Sequence, residues 1–327
     1  MKLEDIGFYT LSDKRAAVSS EKTPLQRGEL ILTDACNFSC AYCRGLPNDC
    51  QGTMKLDFAK FVVQEWAKGG LQNIRFSGGE PLVYKGLIEL VKLAQDSGIK
   101  RIAISSNGSF PLNDYLNLLD AGVNDFSISL DACCASDGDK AAGDVSGSWE
   151  KVVSNIRELS KLTYVTVGVV LTEDNLQKVL DIVRFAHSLG VADIRVIPAA
   201  QLSKNLGQEF IASSIDAEII EEHPILRYRM SNVAKGVPVR GMSGTDSKRC
   251  YIALDDLAVS GKYHFPCIIY MREKGQPIGE MTDIETVRKE RKEWVENHDC
   301  KKDFICRSNC LDCIVLFNNK HHMNDGK

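Results

Sequence analysis

Three cysteines, Cys36, Cys40 and Cys43, stand in the run Cys-Asn-Phe-Ser-Cys-Ala-Tyr-Cys. This C-x3-C-x2-C spacing gathers three soft thiolates in one short loop, a donor set suited to iron–sulfur chemistry. Three thiolates leave a four-iron cluster one protein ligand short, and an iron without a protein ligand can bind and reduce something else. The spacing therefore points to catalysis. A zinc site and a set of buried structural thiols are the competing readings. Structural zinc closes a tetrahedron with a second ligand pair, which this compact triplet lacks nearby.

A second group of cysteines fills the C-terminal region: Cys250, Cys267, Cys300, Cys306, Cys310 and Cys313. By ligand type alone these suit an iron–sulfur centre or a zinc-ribbon-like knot. Cys50, Cys133 and Cys134 fall in no ligand spacing and read as small buried hydrophobes. Cys133 and Cys134 also follow Asp131 at the end of the fourth predicted strand, where the family resemblance given below would let a thiol return a hydrogen atom to a substrate radical. The six histidines show no ligand spacing, and His321-His322 in a polar tail reads as solvated.

The elements that must position these residues alternate along the chain. Short β-type runs at residues 29–33, 73–77, 101–105, 125–130, 164–171 and 193–198 predict six strands. Apolar residues at helical spacing predict helices at 56–68, 87–96, 112–121, 149–162 and 176–189. Six apolar, β-branched strands separated by helices imply a parallel sheet covered by helices. Such a series curls into a full or partial TIM-like barrel, whose chemistry sits at the C-terminal ends of the strands; the family resemblance given below implies the partial (β/α)6 form of this α/β fold. From about residue 201 the alternation breaks, leaving a helix near 216–222 and a Gly/Ser-rich stretch at 241–246. A further helix is predicted over 285–297. The predicted organisation is an N-terminal extension (1–27), the barrel (28–200), a connector (201–249) and a small cysteine-rich iron–sulfur domain (250–327).

Bulk properties narrow the class. A chain of 327 residues accommodates one large α/β domain and a smaller appendage. A net charge of −4 advertises no basic face, so nucleic acid is not an expected partner. No run of about 18 apolar residues predicts a transmembrane helix, and no membrane association is expected. The first residues carry acidic side chains and no continuous apolar segment, unlike a secretory signal. Twelve cysteines in such a chain read as metal ligands, not disulfides, which leads us to expect a reducing, cytoplasmic location.

The cysteine loop closely resembles the cluster loop of the radical S-adenosylmethionine (radical SAM) enzymes, with Tyr42 as the aromatic residue before the third cysteine. In that family the open iron of a 4Fe–4S cluster is chelated by the amino and carboxylate groups of S-adenosylmethionine. Ser77-Gly78-Gly79-Glu80-Pro81, after the second predicted strand, resembles the family's GGEP motif. There the missing side chains of Gly78 and Gly79 let carbonyls approach the methionine ammonium, and Glu80 adds charge. Ser105, Asn107, Ser129 and Asp131 resemble positions that meet the ribose or carboxylate of the cosubstrate. Asn-Gly is also a plain turn former, and Asp after a strand a plain cap. Arg195 is a further candidate for carboxylate pairing and Ile197 for adenine packing. The six C-terminal cysteines resemble the SPASM and shortened twitch domains of the same family. Cys250 and Cys267 flank a hairpin-like stretch containing Gly261, and Cys310-Leu-Asp-Cys313 follows. That likeness implies one fully ligated auxiliary 4Fe–4S cluster on Cys250, Cys267, Cys310 and Cys313, with Cys300 and Cys306 surplus. The run Cys300, Cys306, Cys310 also resembles part of the longer SPASM motif, so the choice among the six stays open.

The resemblance implies an enzyme that reductively cleaves S-adenosylmethionine and abstracts a hydrogen atom from an unactivated C–H bond. An electron donor such as flavodoxin or ferredoxin would serve it. We expect oxidation or epimerisation of a small polar substrate, whether a sugar, an aminocyclitol or a nucleoside. Radical modification of a ribosomally made peptide is the runner-up, and a non-catalytic iron–sulfur or zinc protein is the alternative of another class. A molybdopterin-type guanosine cyclase is set aside at this stage, because that family's Gly-Gly C-terminus is replaced by Asp325-Gly326-Lys327.

Overall fold

The computed structural model describes residues 13–200 and 215–325. In chain order it contains α1 (Asp13–Val18), β1 (Arg27–Ile31), α2 (Leu56–Lys68), β2 (Asn73–Ser77), α3 (Leu87–Asp96), β3 (Arg101–Ser106), α4 (Leu112–Ala121) and β4 (Asp125–Ser129). Next come α5 (Ala135–Ala141), α6 (Ser148–Leu159), β5 (Tyr164–Leu171), α7 (Val179–Ser188), β6 (Asp193–Pro198), α8 (Ala217–Glu222) and α9 (Pro224–Ala234). The C-terminal part adds β7 (Asp256–Ser260), β8 (Tyr263–Phe265), α10 (Ile268–Arg272), β9 (Gly279–Glu280), α11 (Ile284–Asn297), α12 (Phe304–Asn309) and α13 (Asp312–Asp325). The predicted α/β alternation is present, and no strand pairing among the described residues closes a barrel. The predicted connector falls partly on residues 201–214, outside the described ones.

By contacts the chain forms two compact units. The first takes residues up to Ala35, Arg44–Ile102 and Arg240 onward; the second takes Cys36–Cys43 and Ala103–Val239. In the first, the strand order is β2-β1-β7-β8-β9. β1 pairs in parallel with β2 on one side and β7 on the other, Leu30 lying opposite Phe76 and Val259. β7, β8 and β9 continue as an antiparallel meander. The cysteine-rich region predicted as a separate domain thus supplies three strands to the unit that holds β1. Division by composition at residue 250 and division by contacts do not coincide. The strands of this unit are also less apolar than predicted. Arg27, Glu29, Arg75 and Asp256 are all buried, with Arg27 donating to Asp256 at 2.7 Å and Ser77 to Glu29 at 2.9 Å.

In the second unit the order is β6-β5-β4-β3, all parallel. Ser105 lies opposite Ser127, and Ser129 opposite Gly168, which in turn faces Arg195. β2, β5 and β6 occupy the predicted residues, but β1 begins and ends two residues early. The cause is the pairing of the next residues. Leu32 N–H donates to Ser77 O at 2.9 Å, and Thr33 bridges to Thr53, so the chain leaves the ladder there. Helices α5, α9, α12 and α13 carried no clear apolar period and were not predicted. α5, with the sequence Ala-Ser-Asp-Gly-Asp-Lys-Ala, buries none of its residues. No described helix is long and apolar enough to cross a membrane.

Candidate active site

The segment entering the cysteine loop is fixed by the glycine motif in the first unit. Gly79 N–H donates to Thr33 O at 2.6 Å and Glu80 N–H to Ala35 O at 2.9 Å. A Cβ on Gly79 would stand 2.2 Å from Ala35 O and 2.6 Å from Asp34 O; one on Gly78 would stand 2.5 Å from Thr33 O. Backbone packing alone therefore demands both glycines. Glu80 is fully buried and caps the turn that follows, accepting from Leu82 N–H at 3.1 Å. Arg272, at the end of α10, donates to Gly78 O at 2.8 Å and to Gly45 O at 3.2 Å, and its neighbour Glu273 pairs with Arg44. Sequence reading missed Arg272, which no motif marks. Cys50, read as a small hydrophobe, is packed in a core cluster with Ile31, Leu46, Ala258, Phe265 and Met271.

In the second unit, Cys36 and Cys43 are exposed and Cys40 is half-buried. Asn107 Nδ2 donates to Asn37 Oδ1 at 2.8 Å and lies 3.9 Å from Cys36 Sγ. Its Oδ1 accepts from Ser109 N–H, and Asn37 donates to Ser109 Oγ at 2.8 Å. Ser39 N–H donates to Ala142 O at 3.0 Å. Tyr42 O–H donates to Asp131, whose other oxygen accepts from Val170 N–H at 2.6 Å. The expected pair Asn107 and Asp131 therefore hold the cysteine loop itself. Burial pushes the Asp131 carboxyl up to about 6, against the hydrogen bonds from Tyr42 and Val170. Burial, and then Asp131, raises the Tyr42 phenol strongly.

Beside this loop, the C-terminal halves of the strands carry the remaining candidates. Ser105, Arg195 and Ile197 are half-buried and Ser129 is exposed. Ser129, Gly168 and Arg195 form one row across β4, β5 and β6. A Cβ on Gly168 would lie 2.8 Å from an Arg195 guanidinium nitrogen, so the glycine makes room for that side chain. A glycine inside a strand signals such close approach, a signal the sequence reading did not use. Cys133 and Cys134 are half-buried just before α5, and burial raises the Cys133 thiol.

The C-terminal cysteines of the first unit converge. Cys250, Cys267, Cys300, Cys306 and Cys310 line one small cavity with Met242, Ile269, Tyr270, Ile305 and Ile314. Cys300 and Cys306, expected to be surplus, are on its wall. Cys313, expected as a ligand, is buried and acts on Cys310 but is not among the lining residues. Burial, then Cys250, pushes Cys267 up to about 12. The Cys310 thiol is likewise driven up by burial and by Cys250, Cys267 and Cys300. His298 Nε2 lies 3.8 Å from Cys306 Sγ.

The chain thus combines parallel α/β architecture with a thiol triplet after its first strand and a glycine-built loop after its second. Residues 30–186 match the family model described as the Radical SAM superfamily. A GTP 3′,8-cyclase of Clostridium perfringens is 30% identical over 229 residues, which cover 66% of this chain and 69% of that protein. A GTP 3′,8-cyclase of Pseudomonas aeruginosa is 30% identical over 209 residues, covering 60% and 62%. The matches thus span about two thirds of those relatives. In structure the chain is similar to native anSMEcpe with bound AdoMet (TM-score 0.64, 15% identity, 93% and 95% covered). It is also similar to Streptococcus suis SuiB bound to precursor peptide SuiA (TM-score 0.58, 12% identity, 82% and 65% covered). The chain belongs to the radical SAM superfamily.

The residues fit the cluster this family implies. Cys36, Cys40 and Cys43 share one short loop: burial, then Asp131, and further the other two thiols push the Cys40 thiol up to about 11. Three such thiols become thiolates together only with cationic charge among them, which iron supplies.

Proposed function

We propose that this chain is a radical SAM enzyme acting on a small polar substrate of the nucleoside class. The observation that carries the reading is the Cys36–Cys40–Cys43 triplet, with Cys36 and Cys43 exposed, on a loop anchored by Asn107, Asp131 and Ala142. When bound there, a 4Fe–4S cluster and S-adenosylmethionine supply one-electron cleavage to a 5′-deoxyadenosyl radical, which abstracts a hydrogen atom. The chain's own residues orient and enclose. Arg272 and the Thr33–Ala35 backbone fix the Gly78–Glu80 loop, and Ser105, Ser129, Arg195 and Ile197 present polar and apolar contacts for ribose, carboxylate and adenine. Flavodoxin or ferredoxin would supply the electron.

Among the small polar classes, the nucleoside is favoured because the sequence relatives are named GTP 3′,8-cyclases. The sequence reading had set that class aside; the likeness restores it. A SPASM- or twitch-like auxiliary 4Fe–4S cluster in the C-terminal cavity completes the proposal, with thiolates drawn from Cys250, Cys267, Cys310 and their neighbours on the wall. A cluster with no vacant iron suits electron transfer, so it would accept an electron from the product radical.

The test is anaerobic reconstitution with dithionite and S-adenosylmethionine, with GTP and unphosphorylated nucleosides as separate probes. 5′-Deoxyadenosine must form, its yield must rise with a nucleoside or nucleotide, and replacing Cys36, Cys40 and Cys43 with alanine must abolish it. Cleavage retained in that variant overturns the site; indifference to every nucleoside probe overturns the substrate class. In deuterium oxide, a product of unchanged oxidation state carrying one solvent deuterium at carbon would mark epimerisation through a thiol such as Cys133 or Cys134, and not oxidation.

A further inference from the structure

The C-terminal cavity has a nitrogen donor at its edge. The donor atoms of His298, Cys300 and Cys306 all lie within 4.8 Å of one another. The imidazole is held in place on several sides. It stacks on Trp294 at a centroid separation of 4.1 Å and an interplanar angle of 16°, and meets Tyr270 edge-on at 6.0 Å. Arg249 donates to the His298 carbonyl at 3.0 Å. Tyr270 also donates to Asp303 Oδ2 at 2.9 Å, and that oxygen lies 3.7 Å from the same His298 Nε2. The ring is thus oriented with Nε2 toward two thiols and a carboxylate.

We propose that His298 is a ligand, beside the thiolates of Cys300 and Cys306, of the iron–sulfur centre held by the C-terminal cavity. The inference rests on the reading of that cavity as a cluster site. Imidazole is a good ligand for iron, and a histidine in place of a cysteine makes an iron–sulfur centre easier to reduce. A single zinc ion would be filled by its own four ligands. Here five thiols line a space shared with Met242, Ile269, Ile305 and Ile314, and the His298 imidazole stands behind that wall, 3.8 Å from Cys306 Sγ. Five thiols and an imidazole are more donors than a single zinc ion takes. The locked ring matters because a ligand must be placed before the metal arrives; an imidazole free to rotate would be replaced by one of the surrounding thiols. No sequence spacing marks His298. Its role depends on α11 ending beside α12, which brings it to Cys306.

The experiment uses the full chain with Cys36, Cys40 and Cys43 replaced by alanine, so that only the C-terminal centre is read. After anaerobic reconstitution it should hold about four irons. Reduced, and grown with histidine ring-labelled in heavy nitrogen, it should show coupling of the electron spin to the label by pulsed electron paramagnetic resonance. His298→Gln should abolish the coupling and lower the iron content. His298→Cys should keep the iron and lower the midpoint potential, because a thiolate adds negative charge. A reduced cluster without coupling to the label, with iron and potential unchanged in His298→Gln, overturns the histidine ligand while leaving the cluster standing. A cavity that takes up zinc or no iron overturns the cluster reading and this inference with it.

Discussion

Substituting Gly79 by alanine tests whether the glycine pair is required by backbone packing before any cosubstrate is bound. The added Cβ would lie 2.2 Å from Ala35 O and 2.6 Å from Asp34 O, both backbone atoms that no side-chain rotation can move away. Either the Gly78–Glu80 loop or the segment entering the cysteine loop must shift. Overpacking of this kind costs roughly 1–3 kcal/mol. The shift also breaks or lengthens the bonds from Gly79 N–H to Thr33 O and from Glu80 N–H to Ala35 O, each worth about 1 kcal/mol. The sum is about 3–5 kcal/mol, or a hundredfold and more in the folding equilibrium. Guanidinium unfolding of the cluster-free chain measures it without interference from iron. Gly244→Ala is the control, since a Cβ there meets nothing within 4 Å; its change should stay within about 0.5 kcal/mol. Gly79→Ala should also bind S-adenosylmethionine more weakly after reconstitution. If the two alanine variants unfold together, the packing argument is wrong and Gly79 matters only to the ligand.

Removing Arg272, which holds Gly78 O and Gly45 O, should cost about 2 kcal/mol, as for hydrogen bonds from a charged donor. The Arg272→Ala variant should bind S-adenosylmethionine more weakly, with partial recovery in Arg272→Lys; unchanged binding in the alanine variant would remove Arg272 from the site. Asp193 is fully buried, and burial pushes its carboxyl from 3.8 up to about 6. A raised carboxyl contributes stability that is present below its unfolded value and lost as pH rises through about 6, so unfolding free energy should fall between pH 4 and 7 by up to about 3 kcal/mol from this group. Asp193→Asn should flatten that slope, and an unaltered slope would contradict the burial argument. Replacing Cys300 and Cys306 together by alanine should lower the iron content of the C-terminal centre, whereas Cys313→Ala should leave it near wild type. The reverse pattern, read by iron analysis, would restore the ligand set implied by the twitch resemblance.

The parts of the molecule that show in the sequence are those fixed by local pattern. β2, β5 and β6 lie on the predicted residues because each is a short apolar or β-branched run bounded by turn residues. The cysteine triplet and the Gly78–Gly79 pair were visible because their chemistry depends on near neighbours in the chain. Asn107 and Asp131 were singled out for the cosubstrate, but the structure also shows them bracing the loop that carries Tyr42 and the cysteines. Arg272 and His298 were invisible for a different reason. Arg272 acts on Gly78 across a long sequence separation that no periodicity records, and His298 meets Cys300 and Cys306 through the turn between α11 and α12, outside the usual ligand spacings. Along the chain the C-x2-C pair of Cys310 and Cys313 reads most strongly, whereas in the fold Cys300 and Cys306 also line the cavity.

The boundary at residue 250 is chemical and not mechanical. β1 is an interior strand of its unit only because β7 lies against it, in register from Arg27–Asp256 to Ile31–Ser260. Leu30 and Ile31 are almost completely buried there, and Arg27 has Asp256 as its buried counter-charge. Cutting the chain before β7 would expose one edge of β1, take Asp256 from the Arg27 guanidinium and release Gly78 from Arg272. An unpaired strand edge and a lost buried counter-charge are both costly. The same β1 leads directly into the cysteine loop. A C-terminal region that evolved only to hold a second cluster would have no need to complete the first strand of the sheet. Here it completes that strand, so the cysteine cavity and the Gly78–Glu80 loop share one folded unit, and loss of the C-terminal strands should weaken S-adenosylmethionine binding even where the loop's own residues remain.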